Sequence, residues 1–168
     1  MLTIEPLQQA DIAEIASAFA AMGWNKPEQQ YREYLDAVRD RTHVVLVARQ
    51  DGPFAGYGAL RWRSGYPPFA ELNIPEIVDL NVLPQFRRRG VAGRLMTDLE
   101  EIAAAQSRAV GIGVGLTEDY GAAQRLYTLR GYVPDGRGAE AHGVALRSGE
   151  KLAADDTLFL HLVKQFGA

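Results

Sequence analysis

The sequence predicts a mixed α/β fold, an α+β arrangement with a central, mostly antiparallel sheet that includes one parallel pair and is flanked by about four helices. Three observations predict it. Apolar residues recur every three or four positions in some segments and alternate or run together in others, so the chain switches between helix and strand periods. The order read from these periods is β-α-α-β-β-β-α-β-α-β-β. Within it a strand, a long helix and another strand follow one another over 76–116, as in a right-handed parallel βαβ unit.

Leu2–Pro6 reads as a short first strand. From Ala10 to Met22, Ile12, Ile15, Phe19 and Met22 form one stripe of an amphipathic helix, and Gly23 is its stop signal. Pro27–Asp40 is a second helix. Pro27 and Glu28 suit its first turn, and Tyr31, Tyr34, Leu35 and Val38 form its stripe. His43–Ala48 is an apolar run of strand length, covered on both faces. Asp51-Gly52-Pro53 turns the chain into a hairpin partner, Phe54–Arg63, where Gly56 and Gly58 imply a bulge or a close backbone approach. Ser64–Pro75 holds three prolines and reads as a loop. Glu76–Leu83 is a strand. Gly90–Gln106 is a helix with Val91, Leu95, Leu99, Ile102 and Ala103 on one face. Val110–Leu116 is a strand and Gly121–Arg130 a short helix ended by Gly131. A further strand starts at Tyr132–Pro134, and Thr157–Lys164 is the last, with Leu158, Leu160 and Leu162 alternating.

The chain has 168 residues, of which 47% are hydrophobic and 23% charged, a globular profile that fits one domain over 1–168. It has no cysteine, which excludes disulfides, thiolate metal sites and a cysteine nucleophile. The net charge of -3 argues against a nucleic-acid binder. Nothing resembles a signal peptide or a spanning helix, so a soluble cytoplasmic protein without a membrane partner is expected. The three histidines show no metal-ligand spacing, and no metal is expected. His43 and His161 read as structural residues within strands.

The chemistry concentrates in Val82-Leu83-Pro84-Gln85-Phe86-Arg87-Arg88-Arg89-Gly90-Val91-Ala92-Gly93-Arg94. A strand ends, three arginines follow, and small residues fill the first turn of a helix. The first amides of a helix lack intrahelical partners and carry partial positive charge. Small residues let a phosphate approach them, and the arginines add charge. This is an anion site suited to a pyrophosphate. Gly111-x-Gly113-x-Gly115 lies within a strand and is no dinucleotide fingerprint.

Arg87-x-x-Gly90-x-Ala92 resembles the [QR]-x-x-G-x-[GA] signature of the GNAT-superfamily N-acetyltransferases, and the flanks Val82-x-Pro84 and Leu95-Met96 agree. A second segment, from Tyr120 to Tyr132, is similar to the family's N-x-x-A-x-x-[LF]-Y-x-x-x-G-F, with Ala123, Leu126, Tyr127, Gly131 and Tyr132 in place. It departs at Tyr120, where the family often has an Asn that contacts pantetheine.

The resemblance implies a GNAT fold whose parallel strands splay around acetyl-CoA. Amides of Arg88, Gly90, Ala92 and Gly93 would bind its pyrophosphate and the Val82 backbone its pantetheine arm. Leu83, Arg87, Arg89, Val91, Arg94, Ala123 and Tyr127 complete the cofactor set. Homodimers are common in the family.

The same resemblance implies direct transfer of acetyl to a primary amine of a small molecule or a peptide, in a ternary complex. Tyr127 would protonate the leaving thiolate, since a phenol of pKa ~10 is protonated at neutral pH. An amide near Leu83 could stabilise the oxyanion. Glu76 is the first choice of base, because it stands six residues before Val82, the offset of the base in the histone-acetylating branch. Asp79 is the second choice, placed on the opposite face by strand alternation. Glu118 or a water chain could also serve. Trp24, Tyr31, Trp62, Tyr66, Glu71 and the Gly-rich 135–149 are candidates for the acceptor side and would suit a cationic amine. The alternative to an enzyme is a non-catalytic acyl-CoA-binding module of the same fold.

Overall fold

The computed structural model describes residues 1–167. In chain order the elements are β1 (Leu2–Pro6), α1 (Ile12–Ala20), α2 (Glu28–Arg39), β2 (His43–Gln50), β3 (Phe54–Arg61), α3 (Pro67–Glu71), β4 (Glu76–Val82), α4 (Val91–Ala104), β5 (Ala109–Gly115), α5 (Gly121–Leu129), β6 (Val133–Ala141), β7 (Val144–Ala145) and β8 (Leu158–Gln165). The mixed α/β class and nearly all elements agree with the sequence reading. The chain divides into two compact units, Met1–Trp62 with Ile77–Ile102, and Arg63–Glu76 with the stretch from Ala103 onward.

In the first unit β1 pairs antiparallel with β2 (Ile4 opposite Ala48), β2 with β3 (Val45 opposite Ala59), and β4 lies beside β3. The stripe residues of α1 and α2 bury against one face of β2 and β3. Ile12, Ile15, Phe19, Tyr31 and Leu35 share a core with Val45, Val47, Phe54 and Tyr57. Phe19 meets Phe54 and Tyr57 edge-on at 5.7 and 5.8 Å, a favoured aromatic geometry. A Cβ on Gly58 would touch Leu80 and Leu99, at 3.1 Å each. A Cβ on Gly56 would strike the carbonyl oxygen of Asn81, so the close approach expected there is real.

In the second unit the strand order is β5-β8-β6-β7, with antiparallel pairing throughout. Two features depart from expectation. The three-proline stretch contains a helix, because Pro67 and Pro68 occupy its first turn, where a missing N–H costs nothing. It buries Phe69, and the helix count rises to five. The Gly-rich stretch after Pro134 stays in the sheet as β6, with a register shift between Pro134 and Ala139. His142 and Gly143 turn β6 into β7, both with positive φ (51° and 76°), as a two-residue type I′ turn requires. No described helix is long and apolar enough to cross a membrane.

Candidate active site

The loop from β4 to α4 opens with a 3-10 turn over Pro84–Phe86. Arg88 (φ 58°) and Gly90 (φ 82°) then take left-handed conformations on either side of Arg89. Alternating φ signs turn successive amides toward one side, forming an anion-binding concavity. The Arg94 amide donates to the Gly90 carbonyl at 2.9 Å, which begins the α4 ladder. By helix geometry the amides before it face outward from the helix end. Apart from the adjoining backbone, nothing lies within 4 Å of where a Cβ on Gly90 or Gly93 would stand. The cradle is open on the side from which a phosphate would approach, so the residues present fit the pyrophosphate of acetyl-CoA.

The arginines differ in use. Arg87 donates Nε to the Val82 carbonyl at 3.2 Å and stands over the Trp24 ring at 5.9 Å. The carbonyl has a second lone pair for a pantetheine amide. Arg89 lies over the Phe86 ring, and Arg94 pairs with Asp98 on the outside of α4. Leu83 is buried and its amide donates to the Ala55 carbonyl at 2.9 Å, so that N–H is not available to an oxyanion.

The two candidate bases are held differently. Glu76 is buried and accepts a hydrogen bond from Ser64 Oγ at 2.7 Å. Asp79 breaks the alternation expected of β4. It has φ 54°, and while Val78 packs on the core under α1 and α2, the Asp79 carboxylate also turns to α2. Two neighbouring residues sharing a face is the mark of a bulge.

Asp79 Oδ1 accepts from Lys26 Nζ (2.8 Å) and Asn81 Nδ2 (2.6 Å). Its Oδ2 accepts from Gln30 Nε2 (2.7 Å), Tyr34 OH (3.0 Å) and Tyr57 OH (2.5 Å). Burial alone would raise the Asp79 pKa, but the Lys26 charge and the hydrogen bonds outweigh it and hold it below the usual range. The Tyr34 and Tyr57 phenols are pushed up, first by burial and then by the Asp79 charge. None of these partners was singled out from the sequence as acting together; an acid between the apolar Val78 and Leu80 was the signal available.

In the second unit Tyr127 is buried within α5, and burial, with a smaller effect of Tyr120, pushes its phenol up to about 12. Its ring lies 6.0 Å from that of Tyr132. Tyr120, which replaces the family's Asn, lays its ring where a Cβ on Gly115 would stand. Gln124 Nε2 donates to the Gly115 carbonyl at 2.8 Å.

His161 is structural, as expected. Its ring stacks on Tyr66 at 3.6 Å, and Nε2 meets Glu140 Oε1 at 2.9 Å, while the buried Nδ1 has no hydrogen-bond partner among the described residues. Of the acceptor-side aromatics, Tyr31 is fully buried in the core and Trp24 stacks on Phe19. Tyr66 donates to Asp135 Oδ2 at 2.8 Å.

Residues 10–132 match the acetyltransferase (GNAT) family. The chain belongs to the GNAT acetyltransferase family. Among curated proteins it is similar to the uncharacterized N-acetyltransferase YhfO of Bacillus subtilis (strain 168), with 26% identity over 147 residues, covering 80% of this chain and 91% of the relative. Among solved GNAT-type folds it superposes on an N-acetyltransferase from Staphylococcus aureus Mu50 with a TM-score of 0.72 at 15% identity, covering 98% of each chain. It also superposes on yncA from Salmonella typhimurium, solved with its cofactor acetyl-CoA, with a TM-score of 0.71 at 18% identity, covering 99% of this chain and 94% of that one. These likenesses show the GNAT fold.

Proposed function

We propose that the chain is a single N-acetyltransferase domain that moves the acetyl group of acetyl-CoA directly to a primary amine. The observation that carries the proposal is the loop into α4, with left-handed Arg88 and Gly90 and open space at the Cβ positions of Gly90 and Gly93. It belongs to a chain of an acetyltransferase family. Acetyl-CoA supplies an activated thioester. The amides from Arg88 to Gly93 hold its pyrophosphate, and the Val82 backbone holds the pantetheine arm.

The remaining roles follow from how each group is held. Asp79 has five donors on a carboxylate that offers about four lone-pair sites, which leaves no place for a proton. Glu76, buried and hydrogen-bonded by Ser64 and six residues before Val82, is then the acceptor for a proton of the substrate ammonium. As the neutral amine bonds to the acetyl carbon and the C–S bond breaks, Tyr127 gives its phenolic proton to the departing sulfur, and the second proton lost by the new amide nitrogen restores the phenol. Most of the acceleration then comes from holding amine and thioester in line. Carboxylates and aromatics on the acceptor side favour a cationic amine over an anionic one.

Calorimetric titration with acetyl-CoA, beside a Gly90→Glu variant, tests the reading. Micromolar binding is expected for the wild type and its loss in the variant, whose carboxylate enters the phosphate cradle. A folded wild type that does not bind acetyl-CoA sinks the reading. Binding without acetylation of any amine in a broad panel leaves an acyl-CoA-binding module instead.

A further inference from the structure

The stretch Asn81–Val82, which the cofactor reading lays against pantetheine, is gripped from one side by β3. The Leu83 amide is bonded to Ala55, and Gly56 leaves no space for a Cβ beside the Asn81 carbonyl. On the other side it follows, after Leu80, on Asp79, a non-glycine residue at φ 54°. Such a residue is strained and persists only where its surroundings over-determine it. The surroundings here are the five donors. They come from the α1–α2 connection (Lys26), from α2 (Gln30, Tyr34), from β3 (Tyr57) and from β4 itself (Asn81).

Lys26 is more than one donor among five. Its ammonium also donates to Tyr57 OH at 3.1 Å and lies 5.8 and 5.6 Å from the Phe19 and Tyr57 ring centroids. Lys26 and Asp79 side chains are each 19% exposed. A half-sheltered ion pair with its remaining polar atoms satisfied is costly to break from either side.

We propose that the Asp79 carboxylate, with Lys26 as its counter-cation, is a positioning group for acetyl transfer: it holds the left-handed residue of β4 and so fixes the Asn81–Val82 backbone that receives the donor. The proposal rests on the cofactor reading above. Asp79 acts through the backbone and exchanges no proton with the reacting atoms. The network also ties the α1–α2 connection to β4, so a change at either end of the ion pair reaches the same backbone.

The test uses Asp79→Asn, Asp79→Gly, Lys26→Met and the double variant Asp79→Asn/Lys26→Met in the full chain. Acetyl-CoA affinity is measured by calorimetry. Values of kcat and KM across pH are measured with a panel of spermidine, lysine and tyramine, and thermal melting reports folding. Asp79→Asn is expected to weaken acetyl-CoA binding and lower kcat/KM on the order of 10–100-fold, with the shape of the pH profile kept. Asp79→Gly keeps the backbone freedom needed at φ 54°, so an equal loss there assigns the effect to the carboxylate. Lys26→Met shows a smaller loss, and the double variant is no worse than Asp79→Asn.

Two results overturn the proposal alone: a folded Asp79→Asn that binds acetyl-CoA and turns over like the wild type, or a loss confined to the acidic limb of the kcat profile with acetyl-CoA affinity unchanged, which marks a proton acceptor. If the Asp79 variants do not fold, Lys26→Met decides, and wild-type affinity and kcat in it overturn the proposal. A wild type that fails to bind acetyl-CoA overturns the cofactor reading and this proposal together.

Discussion

Tyr127 is buried and Asp79 largely so, and their surroundings suit them to opposite uses. The Tyr127 phenol, pushed up to about 12 by burial and then by Tyr120, stays protonated at any pH at which the enzyme works. In the proposed reaction it would donate that proton to the sulfur as the C–S bond breaks. Tyr127→Phe is therefore expected to lower kcat about 100-fold, with acetyl-CoA affinity close to wild type. Steady-state kinetics and calorimetry on one preparation check this, and an unchanged kcat removes Tyr127 from the chemistry. Tyr127 was legible because it stands at a fixed place in a motif. The fate of Asp79 was not, because its five donors lie between two and 53 residues away in sequence. Only the packing of α1, α2 and β3 brings them to one carboxylate. Tyr120 is a similar case: the departure from the family's Asn makes sense once its ring is seen covering Gly115.

At the scale of elements, glycine marks two different needs. In β5, Gly111, Gly113 and Gly115 share one face, and each Cβ position is met by an aromatic ring: Phe69, His161 with Phe159, and Tyr120. At Gly111 and Gly115 the absence of a side chain is a packing requirement of the sheet, because a Cβ would strike Phe69 and Tyr120. In α4, Gly93 has nothing within 4 Å of its Cβ position. Packing does not ask for glycine there, and alanine is the better helix former by ~1 kcal/mol. Gly93→Ala is expected to raise the melting temperature by about 2–4 °C and at the same time to weaken acetyl-CoA binding, because the methyl group stands in the path of the phosphate. Thermal melts with and without acetyl-CoA check both halves. Unchanged affinity would move the pyrophosphate away from the first turn of α4. The helix α3 was hidden in the sequence because prolines suit a first helical turn as well as a loop, and five residues give too short a window for periodicity.

At the scale of the whole molecule, the chain forms two compact units, yet neither is continuous in sequence. The first takes up Ile77–Ile102 after an excursion through Arg63–Glu76, which belongs to the second. Units interleaved in this way cannot be cut apart at one linker, so a single cooperative heat transition is expected. Differential scanning calorimetry checks it: equal calorimetric and van't Hoff enthalpies support one domain, whereas two resolved transitions would show that the units unfold separately.

By itself the sequence determined the fold class, most of the elements in their order and the family, and it marked the loop proposed to hold the pyrophosphate. Each of these is written in local terms, as a period, a turn residue or a motif of fixed spacing. The tertiary structure alone decided how each acid is held. It spent every lone pair of Asp79 on donors from distant elements, buried Glu76 against Ser64, and committed the Leu83 amide to Ala55. Periodicity tells which face a residue occupies; it does not tell which donors the opposite element will present. It also fails where a left-handed residue shifts the alternation, as Asp79 does in β4.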